Sequence, residues 1–383
     1  MLPRMDIHHY DAIVIGAGIA GATAAAHLSA DRRLALIEAE EVAGYHSTGR
    51  SAAIWILNYG PPAVRTLNAL SRPFFEHPPE GFAETPLMSR RAVLFLAQSG
   101  DLPALHAMLA NGSGLREIGA ATARELVPAI RAGVVHSAAI EDDAFDMEVA
   151  TLHHGFLRQL RQRGGVLALR SRSGRIERRA GHWEVEVTGG ARFRAPVVVN
   201  AAGAWGDEVA SRAGAAPLGL VPRRRTGVII DAAPWSPQHW PMMHVVQGGW
   251  YARAEARTRL MVSPEDETDM TPHDVQPDEL DVALGIDRMQ RWLDIEVRRI
   301  EHSWAGLRTF TPDRSLAIGW DGGVDGFCWC VGQGGYGIQT SPAAGQLVAD
   351  IVAGRDPGAA AVAMPGLDPR RFARAAIPVS ASA

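Results

Sequence analysis

The sequence predicts a two-domain α/β protein in which a parallel-sheet domain is interrupted twice by a second, α+β domain of mixed strands. Two observations carry this. Over residues 12–37 an apolar run, a glycine cluster, an alanine-rich stretch and a second apolar run succeed one another, the pattern of a βαβ unit and so of a parallel sheet. Proline punctuation and alternating strand candidates then replace that pattern after residue 54 and again after residue 218. At 383 residues the chain can bury more than one core.

Each element follows in order. Residues 12–15 read as a short buried strand, 19–30 as a helix and 34–37 as a second buried strand ending on Glu38. Residues 44–53 are too rich in Ser, Thr and Gly for a regular element and read as a loop. In the first excursion, residues 92–97 are a strand candidate. Residues 147–163 return to helix, with Val149, Ala150, Leu152, Phe156, Leu157 and Leu160 on one face. Gly164-Gly165 stops that helix before a strand at 166–169. Trp183, Val185 and Val187 alternate with Glu184 and Glu186 as a strand with one wet face, and Gly189-Gly190 turns it back. Residues 197–200 are the next buried strand.

The second excursion holds strand candidates at 225–231, 243–247, 250–253 and 259–263. An amphipathic helix over 278–293 follows, with Leu280, Ala283, Leu284, Met289, Trp292 and Leu293 as its apolar set. A strand at 327–331, a glycine loop at 332–337 and a helix at 341–352 close the fold, and the alanine-rich tail after Gly354 is expected at the surface or frayed.

Composition narrows the partners. Hydrophobic residues at 47% and charged residues at 21% are ordinary for a soluble protein, and a net charge of −4 gives no reason to expect nucleic acid or an anionic membrane. Residues 1–10 carry Arg4, Asp6 and two histidines without an apolar core, so they are not read as a signal peptide. No stretch reaches the roughly 18 apolar residues needed for a transmembrane segment. Cys328 and Cys330 lie two apart, on one side of a strand, and are poorly placed to bond each other. A reduced, cytoplasmic location is expected, with a peripheral contact at the inner membrane left open.

Chemistry enters at Gly16-Ala17-Gly18-Ile19-Ala20-Gly21. This GxGxxG follows a strand, opens a helix and precedes by about 20 residues an acid at the end of the next strand, the context of a dinucleotide site. Gly16 permits the tight turn, Gly18 a close approach of the pyrophosphate, and Gly21 the packing of helix on strand. The helix N-terminus offers free N–H groups to phosphate, and Glu38 an acceptor for ribose hydroxyls. By itself the motif serves NAD or FAD alike.

Three further segments decide between them. The loop Glu38 to Ala53, with Ser47-Thr48-Gly49-Arg50-Ser51-Ala52-Ala53, resembles the one that threads beneath the flavin in the D-amino-acid oxidase superfamily. The segment from Val197 through Ala202-Gly203 to Trp205 is similar to its second FAD contact, and Trp304 to Asp313 followed by Gly332 to Ile338 to its C-terminal signature. Within that superfamily the bacterial D-arginine dehydrogenases are the members most resembled. The likeness rests on residues 44–53, Tyr59-Gly60, residues 214–225, Trp240 to Met242, residues 273–277 and residues 333–340.

The resemblance implies a glutathione-reductase-type, Rossmann-like FAD domain of residues 1–54, 141–215 and 300–383. A mixed-sheet substrate domain of residues 55–140 and 216–299 would roof the flavin. It implies non-covalent FAD held by Gly16, Gly18, Ile19, Ala20, Gly21, Glu38, Ala39 and the Ser47–Ala53 loop. Ser173, Ala202, Gly203, Trp205, Gly334, Gly335, Tyr336, Gly337, Ile338 and Gln339 complete that set. The glycine loop would aim N–H groups at the edge of the flavin that becomes negative on reduction.

The reaction implied is hydride transfer from Cα of an amino acid to flavin N5, giving an imino acid that water hydrolyses to a 2-oxo acid and ammonia. Arg225 and Arg308 would hold the carboxylate, a planar anion suited to a guanidinium fork. Tyr59 and Tyr251 would line the pocket, and the Gly335 carbonyl would accept from the amine. No general base is evident. The electron acceptor, a quinone or another, is not legible, and no metal site is expected.

Three positions depart from the D-arginine enzymes. Their guanidinium-binding glutamate falls on Val93, and a histidine and a threonine fall on Ile54 and Ile56. Without a carboxylate partner a buried cation is disfavoured, so a neutral, bulky D-amino acid is expected as substrate. Met242 and Ile338 would complete the wall. His244 stands where an apolar residue is usual, and either bonds a polar substrate or packs as a neutral ring. Two other readings stay open: a glycine- or sarcosine-type oxidase that uses oxygen, and a flavin-holding subunit with no substrate of its own.

Overall fold

Residues 7–375 are described in this computed structural model, so residues 1–6 of the segment read above lie outside it. The apolar runs predicted as strands are neighbours in one six-stranded sheet. Its order is Val166–Ala168, Leu34–Ile37, Ala12–Ile15, Val197–Asn200, Phe327–Val331, Ala317–Trp320. All pairs are parallel except the last. Both faces of Ala12–Ile15 are buried, which is why its sequence runs apolar without alternation. One face packs on the helices Ile19–Leu28, Val149–Gln162 and Gly337–Ala353. The other packs on a four-stranded sheet that holds the alternating strand His182–Val187, whose Trp183, Val185 and Val187 point inward as expected.

The second sheet has eight strands, in the order Ile300–Phe310, Val221–Asp231, Arg259–Ser263, Tyr251–Ala254, Met242–Val245, Val93–Ala97, Ser137–Glu141, Leu115–Gly119. Its one parallel pair, Met242–Val245 with Val93–Ala97, is where the two excursions of the chain meet. One face packs on the helix Glu279–Trp292, and the other forms a cluster of Ile56, Val93, Phe95, Met242, Tyr251 and Met261.

Several expectations need correction. In Glu279–Trp292 the buried stripe is Val282, Gly285, Met289 and Trp292, while Leu280, Ala283 and Leu284 are exposed. The reason is Gly285: a Cβ there would lie 2.8 Å from Pro264, so the helix sits down on that turn through a residue with no hydrophobicity to reveal it. Ala150 is likewise exposed. The last helix begins at Gly337, not at residue 341, with Pro342 inside it. The tail is not simply frayed: 3₁₀ turns over Gly358–Gly366 and Pro369–Ala375 bury Ala360, Ala363 and Leu367. The long strand Ile300–Phe310 and the helices Pro62–Glu76 and Leu102–Asn111 had no counterpart in the sequence reading. Among the described residues no helix is long and apolar enough to cross a membrane.

Candidate active site

The glycine turn is built by close contact. Gly16 has φ +100°, and a Cβ there would lie 2.5 Å from the Ala201 carbonyl oxygen. A Cβ at Gly21 would fall 1.8 Å from the Gly16 carbonyl oxygen, so helix and turn touch through bare backbone. Glu38 accepts from the Ala17 N–H at 2.7 Å and Thr48 Oγ1 accepts from the Ile19 N–H at 2.9 Å. His153, which was not foreseen, holds the Ala17 carbonyl through Nε2 at 2.9 Å. Turn, acid and loop are thus one unit.

An elongated cavity of about 160 Å³ runs from this unit. Gly16, Gly18, Ile19, Ala20, Glu38, Ala39, Ser47, Thr48, Ser173, Ala202, Gly203, Trp205 and Gly334 all line it. A second cavity of about 90 Å³ shares Ile19, Ser47, Thr48 and Gly334 with the first and adds Arg50, Ser51, Ala52, Gly337 and Ile338. Ser47 donates to the Leu307 carbonyl at 2.6 Å. Arg50 turns its guanidinium away, to the Ala305 carbonyl at 3.0 Å and Asp274 at 2.5 Å. Gly21, Gly49 and Tyr336 line none of these spaces. Gly49 donates to the Gly44 carbonyl at 2.8 Å, and the Tyr336 ring stands behind Tyr59 with centroids 4.9 Å apart. A narrow cleft that starts at a helix N-terminus and admits no Cβ at its turn fits a dinucleotide, and its length leads on toward a third space.

That third cavity, about 220 Å³, shares Ser51, Ala52, Arg225, Tyr251, Arg308, Gly335 and Ile338 with the second. Ala53, Ile54, Ile56, Tyr59, Val93, Met242, His244 and Gln339 also line it, so the positions named from sequence as substrate contacts come together in one place. Asn58, Phe95, Met108, Arg253 and Glu265 line it too and were missed. One region is polar, with Arg225, Arg308, Tyr59, Tyr251, His244 and Glu265. The rest of the wall is largely apolar, with Ile54, Ile56, Val93, Phe95, Met108 and Met242.

The two arginines differ. Arg225 is buried and occupied: Nε donates to the Asp266 carbonyl at 2.9 Å and Nη2 to Glu267 at 3.0 Å. Glu267 also takes Arg223 and Arg314. Burial works to raise the Glu267 carboxyl, but the Arg314 and Arg223 bonds and the Arg225 charge win and hold it at about 2. Arg308 touches no carboxylate among the described residues. It donates only to Tyr59 Oη at 3.3 Å and Tyr251 Oη at 3.4 Å. Burial would raise the Tyr251 phenol, yet the Arg308 and Arg225 charges outweigh it and lower the pKa. A Cβ on Gly335 would lie 2.6 Å from Tyr59 Oη and 3.1 Å from Arg308 Nη1, so only glycine leaves this corner open.

His244 is paired through Nε2 with Glu265 at 3.0 Å, and Glu265 also accepts from the Gly249 N–H at 2.9 Å. Burial works to raise the Glu265 carboxyl, but the His244 hydrogen bond and charge, with the Arg225 charge, lower it. The sequence reading placed Val93 where the D-arginine enzymes carry a glutamate and named no other carboxylate for the cavity; Glu265 lines it. It lies in the acidic run Glu265 to Asp269, which looks like a solvated turn. The facing run Arg223-Arg224-Arg225 pairs with Asp266, Glu267 and Asp269 of that stretch and leaves Glu265 to His244 and the Gly249 N–H. Cys328 and Cys330 are free, fully buried and away from all three cavities, and burial pushes the Cys330 thiol up to about 12.

Comparison with known proteins bears on the fold and the family. The solved structures it resembles include glycine oxidase from Geobacillus kaustophilus (TM-score 0.80, 21% identity, 91% of this chain and 96% of that one). They include L-proline dehydrogenase from P. horikoshii (TM-score 0.83, 20% identity, 96% and 99%) and L-amino acid deaminase from Proteus vulgaris (TM-score 0.78, 16% identity, 95% and 96%). A curated relative, FAD-dependent oxidoreductase domain-containing protein 1 of Xenopus laevis, is 26% identical over 171 residues, 41% of this chain and about a third (34%) of that protein's length. The family model described as FAD dependent oxidoreductase matches residues 11–351. A match of that extent, on a chain whose glycine turn and connected cavities fit a dinucleotide, places it in the FAD dependent oxidoreductase family, with FAD as its cofactor.

Proposed function

We propose that this chain is an FAD-dependent dehydrogenase of neutral, bulky D-amino acids. The observation that carries it is Arg308, a cation facing a cavity with two phenols around it and no carboxylate of its own. An α-carboxylate supplies the missing charge and meets the guanidinium fork, while Tyr59 and Tyr251 add hydroxyls. Arg225, tied to Glu267, fixes the neighbouring wall and adds positive charge. The bare backbone at Gly335 leaves room for the amine beside this anchor. Bound FAD supplies the two-electron acceptor. Anchoring at one end fixes where Cα sits, which is what a hydride donor needs.

The side chain then falls against Ile54, Ile56, Val93, Phe95, Met108 and Met242. Glu265 does not make this a site for D-arginine or D-lysine, because its oxygens are already engaged by His244 and Gly249 beside Arg225. The D configuration rests on the likeness of residues 44–53 and 333–340 to the D-arginine enzymes. Non-covalent FAD is supported by two cysteines that reach no cavity. The same reading assigns residues 1–54, 141–215 and 300–383 to the FAD domain and the remainder to the substrate domain, with Ile300–Phe310 extending into the roof sheet.

Anaerobic bleaching of the bound flavin across a panel of D- and L-amino acids tests this. Faster reduction by D-Leu, D-Met or D-Phe than by D-Arg or any L-isomer is expected; a higher kcat/KM for D-Arg overturns the substrate class. The oxidase alternative has support in the likeness to a glycine oxidase. Release of hydrogen peroxide under air at a rate matching turnover decides for it.

A further inference from the structure

We propose that Glu141, which does not itself line the third cavity, is a positioning residue that sets the cavity's side-chain wall by holding Leu57 and Asn58. This deepens the amino-acid dehydrogenase reading above and rests on it.

Residues 56–59 lie outside any strand or helix, yet Ile56, Asn58 and Tyr59 line the cavity. Backbone groups in such a stretch need partners from elsewhere. Three buried side chains from three distant elements converge on it: Asn68 of the helix Pro62–Glu76, Gln339 of the helix Gly337–Ala353, and Glu141. The Ile56 N–H donates to Gln339 Oε1 at 3.2 Å, and the Ile56 carbonyl accepts from Asn68 Nδ2 at 2.7 Å. Glu141 takes the next two donors, the Leu57 N–H on Oε1 at 2.8 Å and Asn58 Nδ2 on Oε2 at 2.8 Å. Neutral amides suffice at Ile56, which presents one donor and one acceptor. Two donors met at separate oxygens call for a side chain that only accepts, a carboxylate.

Glu141 ends the strand Ser137–Glu141, opposite Val93 on one neighbour and Leu115 on the other. Opposed residues point to the same face of a sheet, so its carboxylate lies on the side of Val93, a cavity residue. It is fully buried and meets no cation among the described residues. Burial, with Asp143 nearby, raises its pKa against the pull of the Asn58 and Leu57 hydrogen bonds. A carboxylate so placed is tolerated only where both oxygens are engaged.

The same carboxylate decides how Asn58 sits. Nδ2 must face it, which leaves Oδ1 to accept from the Ser113 N–H at 2.8 Å, while Nδ2 also reaches the Ser113 carbonyl at 2.9 Å. Gly112 makes room for this, since a Cβ there would lie 3.2 Å from Asn58 Oδ1. Ser113 follows the helix Leu102–Asn111, which brings Met108 to the wall and has Leu105 as its one buried residue. Through Asn58, Glu141 therefore fixes Ile56 and Tyr59 on one side of the wall relative to Met108 on the other. The α-carboxylate anchor at Arg308 is untouched by this arrangement, so what Glu141 governs is the fit of the substrate side chain.

The test is anaerobic stopped-flow reduction of the holoenzyme by a series of rising side-chain size, Ala, Val, Leu and Phe, in the configuration that the native flavin accepts. It compares the native protein, Glu141→Gln, Asn58→Ala and the double variant. Glutamine keeps the shape of Glu141 but turns one acceptor into a donor, which then meets the Leu57 N–H or Asn58 Nδ2 head-on. Glu141→Gln is expected to raise the apparent Kd for Leu and Phe roughly tenfold. The loss should shrink down the series to a few-fold or less for Ala, and the limiting rate of reduction should stay within a few-fold of native. Asn58→Ala should give the same dependence on size. The double variant should be no worse than Asn58→Ala alone, because the donor that glutamine repels is gone. An equal loss for every member of the series, an unchanged Kd for Leu and Phe in Glu141→Gln, or losses that multiply in the double variant each overturn the proposal and leave the dehydrogenase reading standing. A native flavin that amino acids of neither configuration reduce overturns both. If Glu141→Gln fails to hold FAD, Asn58→Ala decides by whether its loss grows with substrate size.

Discussion

Arg308 and Arg225 show how neighbours in one sheet acquire different work. They stand on adjacent strands, Arg225 opposite Gly306 and Arg308 opposite Arg223, yet only Arg225 meets a carboxylate. The lone charge of Arg308 is therefore what a substrate anion completes. Arg308→Lys keeps the charge and loses the fork, and removing a buried charged hydrogen bond costs about 2 kcal/mol or more. KM for the amino acid should rise at least about 30-fold, with the flavin spectrum retained, as steady-state kinetics and absorbance would show. Arg308 was legible because the segment Trp304 to Asp313 resembles the superfamily's C-terminal signature and sets this arginine between apolar Leu307 and Phe310. Glu265 was not, because an acidic run gives no sign of which member turns inward until His244 and the Gly249 N–H that meet it are placed.

Among the helices, Ile19–Leu28 is deeply buried. Eight of its ten residues are buried, and Gly345 lets the last helix approach it so closely that a Cβ would lie 2.4 Å from Thr23 Oγ1. His27 near its end has Nε2 shielded and unpartnered, and burial, with the Arg163 charge, pushes its pKa from 6.5 to about 4. The folded state thus holds the neutral ring while the unfolded chain takes a proton first. Stability present above pH 6.5 is lost as pH falls toward about 4. Denaturant titrations across that window should show a smaller decline for His27→Leu than for the native protein. The same crowding explains what the sequence revealed about elements. Strands buried on both faces, such as Ala12–Ile15, announce themselves by composition. A helix seated through glycine, such as Glu279–Trp292, presents a hydrophobic face that misleads.

In the whole molecule the connected cavities proposed for the flavin draw on parts far apart along the chain, among them the Gly16 turn, the Ser47–Ala53 loop, Ala202 to Trp205 and the Gly334–Gln339 segment. Their closure around one ligand couples binding to stability. Ligand present at a hundred times its dissociation constant stabilises a fold by about 2.7 kcal/mol. Stripping FAD should lower the melting temperature by several degrees, and adding it back should restore the native value in a thermal melt. Sequence reading reached this convergence through motifs that hold their order along the chain. It did not reach the polar region of the third cavity, whose Glu265 and His244 meet only because Arg259–Ser263 and Met242–Val245 flank the same strand, Tyr251–Ala254.

The parallel pairing of Met242–Val245 with Val93–Ala97 bears on how such a protein changes over time. It brings Val93 opposite Met242, so two wall positions that meet in space are encoded far apart, and Ile54 and Ile56 come from a third place. No single exchanged fragment carries the whole wall. Recombination between relatives would split a substrate preference, whereas stepwise point substitution could redraw it one position at a time, with the anchor at Arg308 left untouched.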